Sequence, residues 1–491
     1  MKQSTHHLPG IFDITPTITQ NQLLYGDNLT IMRTMPNACV DLIYLDPPWN
    51  SKKNYNLIYK KLTGQPVPEQ EEAFCDTWEM DAEKEEMARK MPIVLRDYGV
   101  DEDLVLFWKA WIDALRHTQP KLLAYLVYMS YRLFEMRRVL KPTGSVYLHC
   151  DPTASHYIKV IMDGVFGHKN FRNEIVWHYT SGGAGKRSFA KKHDVILFYS
   201  KSEEYHFKQQ KYKRFLDRSK GYDPRIKYFK DNESGRDYRI NIMTDVWLDI
   251  GIISPNSFER LGYPTQKPIP LLKRIIEAST KADDVVFDPF CGCGTAVYAA
   301  HLLGRKWIGC DIAILSVRLI RDVLLKRYGL KEGEHYEISG VPLSIVGAED
   351  LFDRDARQFQ HWAVELAGGF SSAKYSGDKG IDGRIHFETK DGLKNMILSV
   401  KGGKLSPAYV RELRGVLERE PDSEMAGFIC LQSPTKGMAE ESAEAGVYTL
   451  QGTNYDRLQI RTVQDILDGK GFNTPSKVKI LGWQNQGVLP I

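Results

Sequence analysis

The chain has 491 residues and a net charge of +4, with 42% hydrophobic and 26% charged residues. This composition matches a globular protein, the length beyond roughly 250–300 residues predicts more than one domain, and the charge is too small to indicate a nucleic-acid partner by itself. No apolar run approaches the roughly 18 residues that cross a bilayer, and the N-terminus lacks a signal-peptide pattern. We therefore expect a cytoplasmic protein with no membrane partner. Seven scattered cysteines fit neither a disulfide framework nor a zinc site, and we expect buried thiols.

Strands and helices alternate along most of the chain. Residues 1–19 form an N-terminal lead-in, and regular patterns begin at residue 20. Apolar runs and helical periodicity predict strands and helices in turn, among them a strand at 40–45, a helix at 121–139, a strand at 193–201 and an amphipathic helix at 268–280. Such alternation predicts an α/β fold built on a doubly wound, mostly parallel sheet.

The strand at 40–45 ends in an unusual corner, Asp46-Pro47-Pro48-Trp49. In a doubly wound fold this corner lies at the carboxyl edge of the sheet, where ligands bind. The prolines have fixed φ and no N–H, so their carbonyls are rigid acceptors. A carboxylate with such a carbonyl can accept both hydrogens of an amino group, and Trp49 offers a flat face for a planar base.

The middle of the chain is locally basic. Between residues 181 and 230 there are 14 lysines and arginines against 5 acidic residues, interleaved with tyrosine and phenylalanine. Basic groups alternating with aromatic rings suit phosphates and bases, although a solvated face is an equally good interpretation of the charges. Residues 178–260 are thus a candidate nucleic-acid surface, in which the candidate binding residues are Lys186, Arg187, Lys211, Lys213 and Arg214.

A second motif lies 242 residues beyond Asp46, at Asp288. Here a strand enters a turn with Gly292 and Gly294, ahead of a helix whose N-terminus faces the ligand. The motif lacks the third glycine of the dinucleotide fingerprint. Asp288 suits a cationic group such as an ammonium, and Asp311 ends the next strand, where a carboxylate accepts ribose hydroxyls. An acidic pair around a glycine turn fits S-adenosylmethionine better than NAD, and the plain alternative is a tight turn with ordinary strand-end aspartates.

These two motifs resemble those of amino-group DNA methyltransferases, which modify adenine N6 or cytosine N4. "DPPWN" is similar to the family's catalytic motif and "DPFCGCGT" to its cofactor motif, and their order is that of the beta group. Corresponding segments occur in order between about residues 20 and 330: "YGDNL", "LKPTGSVYLHCD", "FRNEIVW", "KHDVILFYSK" and "GYPTQKP". The resemblance implies a class I methyltransferase domain over residues 20–332, with a seven-stranded sheet and no metal for methyl transfer. Within this domain, residues 178–260 are the candidate region for recognition of the DNA target, and the basic residues named above are the candidates for DNA binding.

By this resemblance, Asp46 and Pro47 hold the target amine, and Trp49 stacks on a base extruded from double-stranded DNA. Tyrosine is commoner than tryptophan at this position in the family. The first aspartate favours adenine N6, with cytosine N4 as the alternative; an RNA amino-methyltransferase fits the motif order less well. The resemblance places Asp288, Phe290, Gly292 and Gly294 along the cofactor, Asp311 on its ribose, Asp27 on its adenine, and Gln266, Lys267 and Pro268 at its methionine end. Relatives of the group often dimerise, so the resemblance allows a homodimer. It also allows a separate restriction endonuclease as a partner.

The pattern of predicted helices and strands changes near residue 340. We predict a linker over 333–350, a smaller α/β domain over 351–475 and a tail over 476–491. This domain resembles the restriction-endonuclease-like domain fused behind some beta-group methyltransferases, whose PD-(D/E)xK motif binds Mg2+. Asp382 and Lys401 match that motif, and Glu365 would supply an additional carboxylate.

Ser399 departs from the motif, because it occupies the position where Glu or Gln is usual. Two hypotheses therefore remain for the whole protein. One is a methyltransferase whose accessory domain grips DNA or is structural, and the other is a fused restriction–modification enzyme that uses Mg2+ to cleave.

Overall fold

The structure is a computed structural model that describes a large part of the chain. The described residues are 20–48, 78–150, 154–180, 187, 189–216, 225–254, 256–261, 263, 265–371, 380–389 and 392–475. The predicted lead-in and tail lie outside them, as do Trp49 and Lys186. The cysteines that the structure describes are all buried, as predicted. No helix in the described ranges is long and apolar enough to cross a membrane.

The first part of the chain contains twelve of the described strands. In chain order they are β1 (Asn21–Tyr25), β2 (Val40–Leu45), β3 (Leu140–Cys150), β4 (Phe171–His178), β5 (His193–Ser200), β6 (Lys211–Phe215), β7 (Phe229–Lys230), β8 (Asp237–Ile242), β9 (Val246–Trp247), β10 (Val285–Asp288), β11 (Lys306–Asp311) and β12 (Tyr336–Ser339).

Nine of these strands form one sheet in the order β12-β1-β11-β10-β2-β3-β5-β4-β9. Neighbours from β12 to β3 are parallel, and β5 runs antiparallel to both β3 and β4. The predicted doubly wound, mostly parallel sheet is confirmed. The short strands β12 and β9 lie at its two edges, outside the seven strands that the resemblance implies.

Helices cover both faces of this sheet. They are α1 (Asn28–Thr34), α2 (Ala82–Asp97), α3 (Glu102–Thr118), α4 (Pro120–Val139), α5 (Ser155–Met162), α6 (Ile269–Ser279), α7 (Thr295–Leu302) and α8 (Ile314–Leu319), with π-helical turns at Asp163–Gly167 and Ile320–Leu325 and a 3-10 turn at His168–Asn170. Along β2, Ile43 and Leu45 pack with α1 to α5, whereas Leu42 and Tyr44 pack with α6 to α8. Burial on both faces explains why β2 is apolar at every position from Leu42 to Leu45 rather than at alternate ones.

The basic middle segment contains a separate small sheet. Strands β6, β8 and β7 pair antiparallel in the order β6-β8-β7. Every residue of β6 is exposed, so this sheet presents its side chains to solvent.

The C-terminal part is a smaller α/β unit, as predicted. Its strands are β13 (Phe370–Ser371), β14 (Gly383–Thr389), β15 (Gly392–Lys401), β16 (Ser423–Cys430), β17 (Val447–Leu450), β18 (Thr453–Asp456) and β19 (Leu458–Thr462). Its helices are α9 (Ile345–Arg354), α10 (Ala356–Leu366), α11 (Pro407–Leu417), α12 (Lys436–Ala443) and α13 (Val463–Leu467). Five strands form a mixed sheet in the order β13-β14-β15-β16-β19, and β17 pairs with β18. Its likeness to a restriction endonuclease stays a prediction.

The predicted linker, residues 333–350, contains regular structure. Strand β12 pairs in parallel with β1, from Asn21 opposite Tyr336 to Leu24 opposite Ser339. Helix α9 then begins at Ile345. The large sheet therefore extends beyond residue 332, and the stretch between β12 and α9 is only a few residues long.

Candidate active site

Three acidic residues predicted from separate motifs reach the same edge of the large sheet. In the parallel pairing of β2 with β10, Ile43 lies opposite Phe287, so Asp46 and Asp288 both emerge at the carboxyl ends of adjacent strands. Strand β11, on the other side of β10, ends at Asp311. From the boundary between β10 and β2, the chain winds away in opposite directions, towards β11 and towards β3. Ligands of doubly wound folds bind at such a boundary.

Asp46 forms an ion pair with Lys267, and both side chains are largely buried, with 16% and 14% of their surfaces exposed. The Lys267 ammonium also donates to the carbonyl of Thr265 at 3.3 Å. The resemblance placed Lys267 at the methionine end of the cofactor, which stays a prediction, and the structure shows its ammonium paired with Asp46. Of the two prolines that follow, Pro47 is buried and Pro48 is exposed.

A buried polar chain lies beside this loop and was not predicted. The Tyr44 hydroxyl is 3.0 Å from Nδ1 of His149, and Nε2 of His149 is 3.2 Å from Oδ2 of Asp194. The Tyr179 hydroxyl donates to the other oxygen of Asp194 at 3.0 Å. Burial, and next the charge of Asp46, raise the pKa of Tyr44 well above its ordinary value. Tyr44, His149 and Asp194 come from β2, β3 and β5. Their proximity can therefore be predicted only when the order of these strands in the sheet is known.

The glycine turn after β10 adopts backbone conformations that require glycine. Gly292 has φ +50° and Gly294 has φ +80°. A Cβ at Gly294 would lie 2.8 Å from a side-chain carbon of Ile320, and one at Gly292 would lie 3.2 Å from the Tyr263 ring. Asp311 holds the turn from the next strand, because its Oδ2 accepts the backbone N–H of Gly292 at 2.8 Å.

The environment of Asp288 and Asp311 favours a cationic ligand. Burial raises the pKa of Asp288 well above its ordinary value, and the charges of Asp46 and Asp311 raise it further. Burial also raises the pKa of Asp311, to about 6, although N–H groups of Ala313 and Gly292 act against this shift. A ligand with a positive charge and hydroxyl donors would stabilise both carboxylates. The acidic pair and the glycine turn therefore fit S-adenosylmethionine.

Asp27 takes part in a structural network at the start of α1. It accepts the N–H groups of Leu29 and Thr30 at 3.0 and 3.1 Å and forms an ion pair with Arg132 from α4. Arg132 also donates to the side-chain oxygen of Asn28 at 2.6 Å. The Asn28 amide in turn donates to the carbonyl of residue 289 in the glycine turn at 2.7 Å. No sequence pattern indicated that Asn28 and Arg132 connect α1 and α4 to the turn, and a contact of Asp27 with adenine stays a prediction.

The remaining predicted cofactor residues have structural contacts near the site. The Gln266 amide donates to the carbonyl of Glu259 at 2.6 Å, and its oxygen accepts the N–H of Leu261 at 2.7 Å. Pro268 is the N-cap residue of α6, and the backbone N–H of Phe290 donates to Asp288 at 3.0 Å.

The β6–β8 pair places the predicted DNA-binding residues on two opposite faces. Arg214 lies directly opposite Arg239, and the same face carries Tyr212 opposite Asn241. The other face carries Lys211 and Lys213, which lie opposite Ile242 and Ile240. Lys213 is engaged in an ion pair with Asp231, with 2.6 Å between nitrogen and oxygen. Arg187 is described but belongs to none of these strands.

The C-terminal candidates are brought together only in part. Oδ2 of Asp382 accepts the N–H of Val400 at 2.6 Å and the Ser399 hydroxyl at 3.4 Å, close to Lys401 at the end of β15. One oxygen of Glu365 instead accepts the N–H of Ile314 in the large domain at 3.1 Å. Within the described ranges, no three His, Cys, Asp or Glu side chains are grouped so that they could hold a metal ion.

The sheet order, the glycine turn and the acidic strand ends define the class I methyltransferase fold with its cofactor edge. A family model described as DNA methylase, N6_N4_Mtase, matches residues 40–322, more than half of the chain. The chain belongs to this family.

Curated relatives agree with this assignment. The chain is 27% identical over 270 residues to the Type II methyltransferase M.EcaI of Enterobacter cloacae, with 42% of this chain and 58% of that protein covered. It is 30% identical over 236 residues to the Type II methyltransferase M.HpaI of Haemophilus parainfluenzae, with 47% and 64% covered. It is 26% identical over 292 residues to the DNA adenine methyltransferase YhdJ of Escherichia coli strain K12, with 59% and 78% covered. The match thus spans less than two thirds of the first two relatives.

Proposed function

We propose that this protein methylates the exocyclic amine of a base flipped out of double-stranded DNA, with S-adenosylmethionine as the methyl donor. The observation that carries the proposal is the meeting of Asp46 with Asp288 and Asp311 at one edge of the sheet. This arrangement places the loop that would accept the amine hydrogens beside the glycine turn and the acidic residues that would bind the methyl donor. Methyl transfer to an amine needs both of these sites. Membership of the DNA methylase family supports DNA as the substrate.

Adenine N6 is the proposed target atom. The motif begins with aspartate rather than the serine that is commoner in cytosine N4 enzymes, and one relative is named a DNA adenine methyltransferase. Sequencing that detects modified bases, applied to DNA from a methylation-free host expressing the protein, tests this assignment. We expect N6-methyladenine within one recognition sequence, and N4-methylcytosine instead would establish the alternative.

Catalysis follows from positioning at the corner after β2. S-adenosylmethionine, when bound, supplies an activated methyl group. The Asp46 carboxylate and the Pro47 carbonyl accept the two amine hydrogens, which leaves the nitrogen lone pair directed at the methyl carbon. As the nitrogen gains the methyl group, the donor's sulfur–methyl bond breaks and S-adenosylhomocysteine is left. The nitrogen gives up one proton, which Asp46 would accept. Lys267 fixes one oxygen of Asp46 and offsets its charge, so the carboxylate stays oriented among other acidic groups.

Replacement of Asp46 tests the catalytic assignment. Asp46→Ala removes the carboxylate acceptor, and we expect methyl transfer to DNA to fall by about a hundredfold or more. The affinity for S-adenosylmethionine, measured by calorimetry, should change little, because Asp288 and Asp311 remain. Asp97→Ala, at an exposed position on α2, is the matched control. Methyl transfer by Asp46→Ala at a near wild-type rate would refute the assignment.

We also propose that one face of the β6–β8 pair contacts DNA phosphates. Like charges directly opposite each other on neighbouring strands destabilise a sheet, and Arg214 faces Arg239 in this way. A phosphate group between the two guanidinium groups would offset their repulsion and accept hydrogen bonds from both. The opposite face is less suited, because Lys213 is already paired with Asp231 and both lysines lie beside isoleucines.

The C-terminal unit supports a DNA-holding or structural role better than cleavage. Oδ2 of Asp382 accepts the backbone N–H of Val400, and Ser399 stands where a metal ligand is usual. At position 399 the motif therefore lacks a ligand that a PD-(D/E)xK site supplies to Mg2+. Residues 372–379, which precede Asp382, lie outside the described ranges.

A further inference from the structure

Helix α10 of the C-terminal unit contacts the methyltransferase domain at its cofactor edge. Oε2 of Glu365 accepts the backbone N–H of Ile314 at 3.1 Å. Ile314 is the first residue of α8 and lies three residues after Asp311, the proposed ribose ligand. The C-terminal unit therefore hydrogen-bonds to the turn that leads out of the cofactor site.

Asp311 and Glu365 hold consecutive N–H groups of this turn. Oδ1 of Asp311 accepts the N–H of Ala313 at 2.9 Å, and Glu365 accepts that of Ile314. The second oxygen of Asp311 is bound to Gly292 at 2.8 Å, so the same carboxylate also fixes the glycine turn. A change in the backbone at 313–314 would thus alter the position of Asp311 itself.

A second contact of α10 reaches the neighbouring strand. Gln358 lies seven residues before Glu365, on the same face of the helix, and is 95% buried. Its amide nitrogen lies near Gly26, directly after β1, because a Cβ added at Gly26 would be 3.6 Å from this nitrogen. The N–H of Gly26 donates to the carbonyl of Asp311 at 2.9 Å. Helix α10 consequently covers the ends of both strands that border the proposed ribose position.

The side chain at the end of β1 is also in contact with this helix. Tyr25 pairs in register with Asp311 and is buried. Burial, and next the negative charge of Glu365, raise its pKa well above the ordinary value. The buried apolar core runs continuously from this region into the C-terminal unit, where it includes Phe359 and Trp362 of α10.

We propose that Glu365 is a positioning residue for the cofactor site, contributed by the C-terminal unit rather than by the methyltransferase domain. It acts through Ile314 and the turn to keep Asp311 in place for the ribose hydroxyls. This inference rests on the proposed function, in which Asp311 binds the cofactor. It gives Glu365 a role different from the nuclease carboxylate that the sequence predicted. Because coupling between two sites is reciprocal, cofactor binding also stabilises the docking of α10.

Calorimetry and steady-state kinetics on full-length variants test the inference. Glu365→Ala leaves the Ile314 N–H without its acceptor, and we expect a roughly tenfold increase in the Kd and KM for S-adenosylmethionine. The kcat at saturating cofactor and the KM for DNA should change less than about twofold, because the catalytic corner is untouched. Glu365→Gln should restore most of the affinity, since an amide oxygen accepts the same hydrogen bond. Glu349→Ala, exposed on α9, is the control.

Asp311→Ala separates this inference from the proposed function. If Asp311→Ala loses cofactor affinity while Glu365→Ala binds like the wild type, the role of Glu365 is refuted and the cofactor site stands. If Asp311→Ala binds normally, the ribose assignment fails and the role of Glu365 fails with it.

Hydrogen exchange of the wild-type protein provides a test that does not depend on the folding of a variant. We expect S-adenosylmethionine to slow exchange in residues 356–366 as well as in the glycine turn. Slower exchange in the turn with unchanged exchange in 356–366 would overturn the coupling.

Discussion

At the scale of single residues, the ion pair with Lys267 orients the Asp46 carboxylate, which we propose to be catalytic. Lys267→Met keeps the apolar stem but removes the ammonium, leaving the Asp46 charge uncompensated in a largely buried site. We expect kcat to fall by about ten- to a hundredfold, with little change in the KM for S-adenosylmethionine. Steady-state kinetics with both substrates measure this.

Lys267→Arg is the matched control, since it retains a positive charge beside Asp46. A variant Lys267→Met with normal kcat and a strongly raised cofactor KM would place the lysine at the methionine end instead, as the sequence predicted.

The pKa of Asp311 predicts how cofactor binding depends on pH. Its folded-state pKa is raised to about 6, so protonation of Asp311 stabilises the cofactor-free protein as the pH falls from about 6 towards the ordinary value. Ribose hydroxyls bind the ionised form better, and the raised pKa of Asp288 acts in the same direction for a cationic group. Affinity for S-adenosylmethionine should therefore decline as the pH falls through about 6.

Calorimetric titrations between about pH 5 and pH 8 measure this dependence. Asp311→Asn cannot ionise, so it should bind more weakly at pH 8 and lose much of the decline between pH 7 and pH 5. A wild-type affinity that is constant over this range would contradict the assignment.

Which site residues the sequence revealed depends on where they lie in the chain. Asp46, Asp288 and Asp311 each follow an apolar run, and the ends of such runs can be recognised without knowledge of the fold. His149 and Asp194 lie inside or beside buried strands, where the role of a polar residue cannot be recognised until its neighbours are known. The position of Lys267 on Asp46 likewise depends on a contact across 221 residues of chain.

At the scale of elements, the two faces of the β6–β8 pair allow a direct comparison. Arg214→Ala with Arg239→Ala removes two cations from the proposed DNA face, whereas Lys211→Ala with Lys213→Ala removes two from the opposite face. We expect the arginine pair to weaken DNA binding and to lower the slope of log K against log salt by about two. The lysine pair should bind nearly like the wild type.

Fluorescence anisotropy over a salt titration measures both double variants. Equal losses from the two pairs would indicate that the sheet attracts DNA by charge without a preferred face. Unchanged binding in both would mean that the segment is a solvated surface.

The central strands of the large sheet and helix α6 could be predicted from the sequence, whereas the two edge strands could not. Strands β2 and β5 are mostly apolar, and α6 has clear helical periodicity, so each was predicted close to its observed bounds. Strand β12 has four residues, and β9 has two, which is too short for a period of two to be recognised. Both are defined by pairing with a neighbour rather than by their own sequence.

At the scale of the whole molecule, the C-terminal unit decides whether the protein is a fused restriction–modification enzyme. Because Ser399 replaces the usual Glu or Gln of the motif, we expect unmethylated plasmid to remain intact when incubated with purified protein and Mg2+. Gel electrophoresis measures the outcome. Specific fragments that disappear in Asp382→Ala would establish cleavage, and methyl transfer by that variant should be unaffected in either case.

The pairing of β12 with β1 also limits where recombination can replace the C-terminal unit of such proteins. A chain cut at residue 332 would lose the outermost strand and leave the backbone N–H and C=O groups of β1 unpaired at an open sheet edge, which promotes association between molecules. Recombination that joins a different C-terminal unit at residue 332 would therefore remove an edge strand from the sheet of the methyltransferase domain. A junction between Ser339 and Ser344 would keep the sheet whole, so viable gene fusions in this architecture should carry β12 with the methyltransferase half.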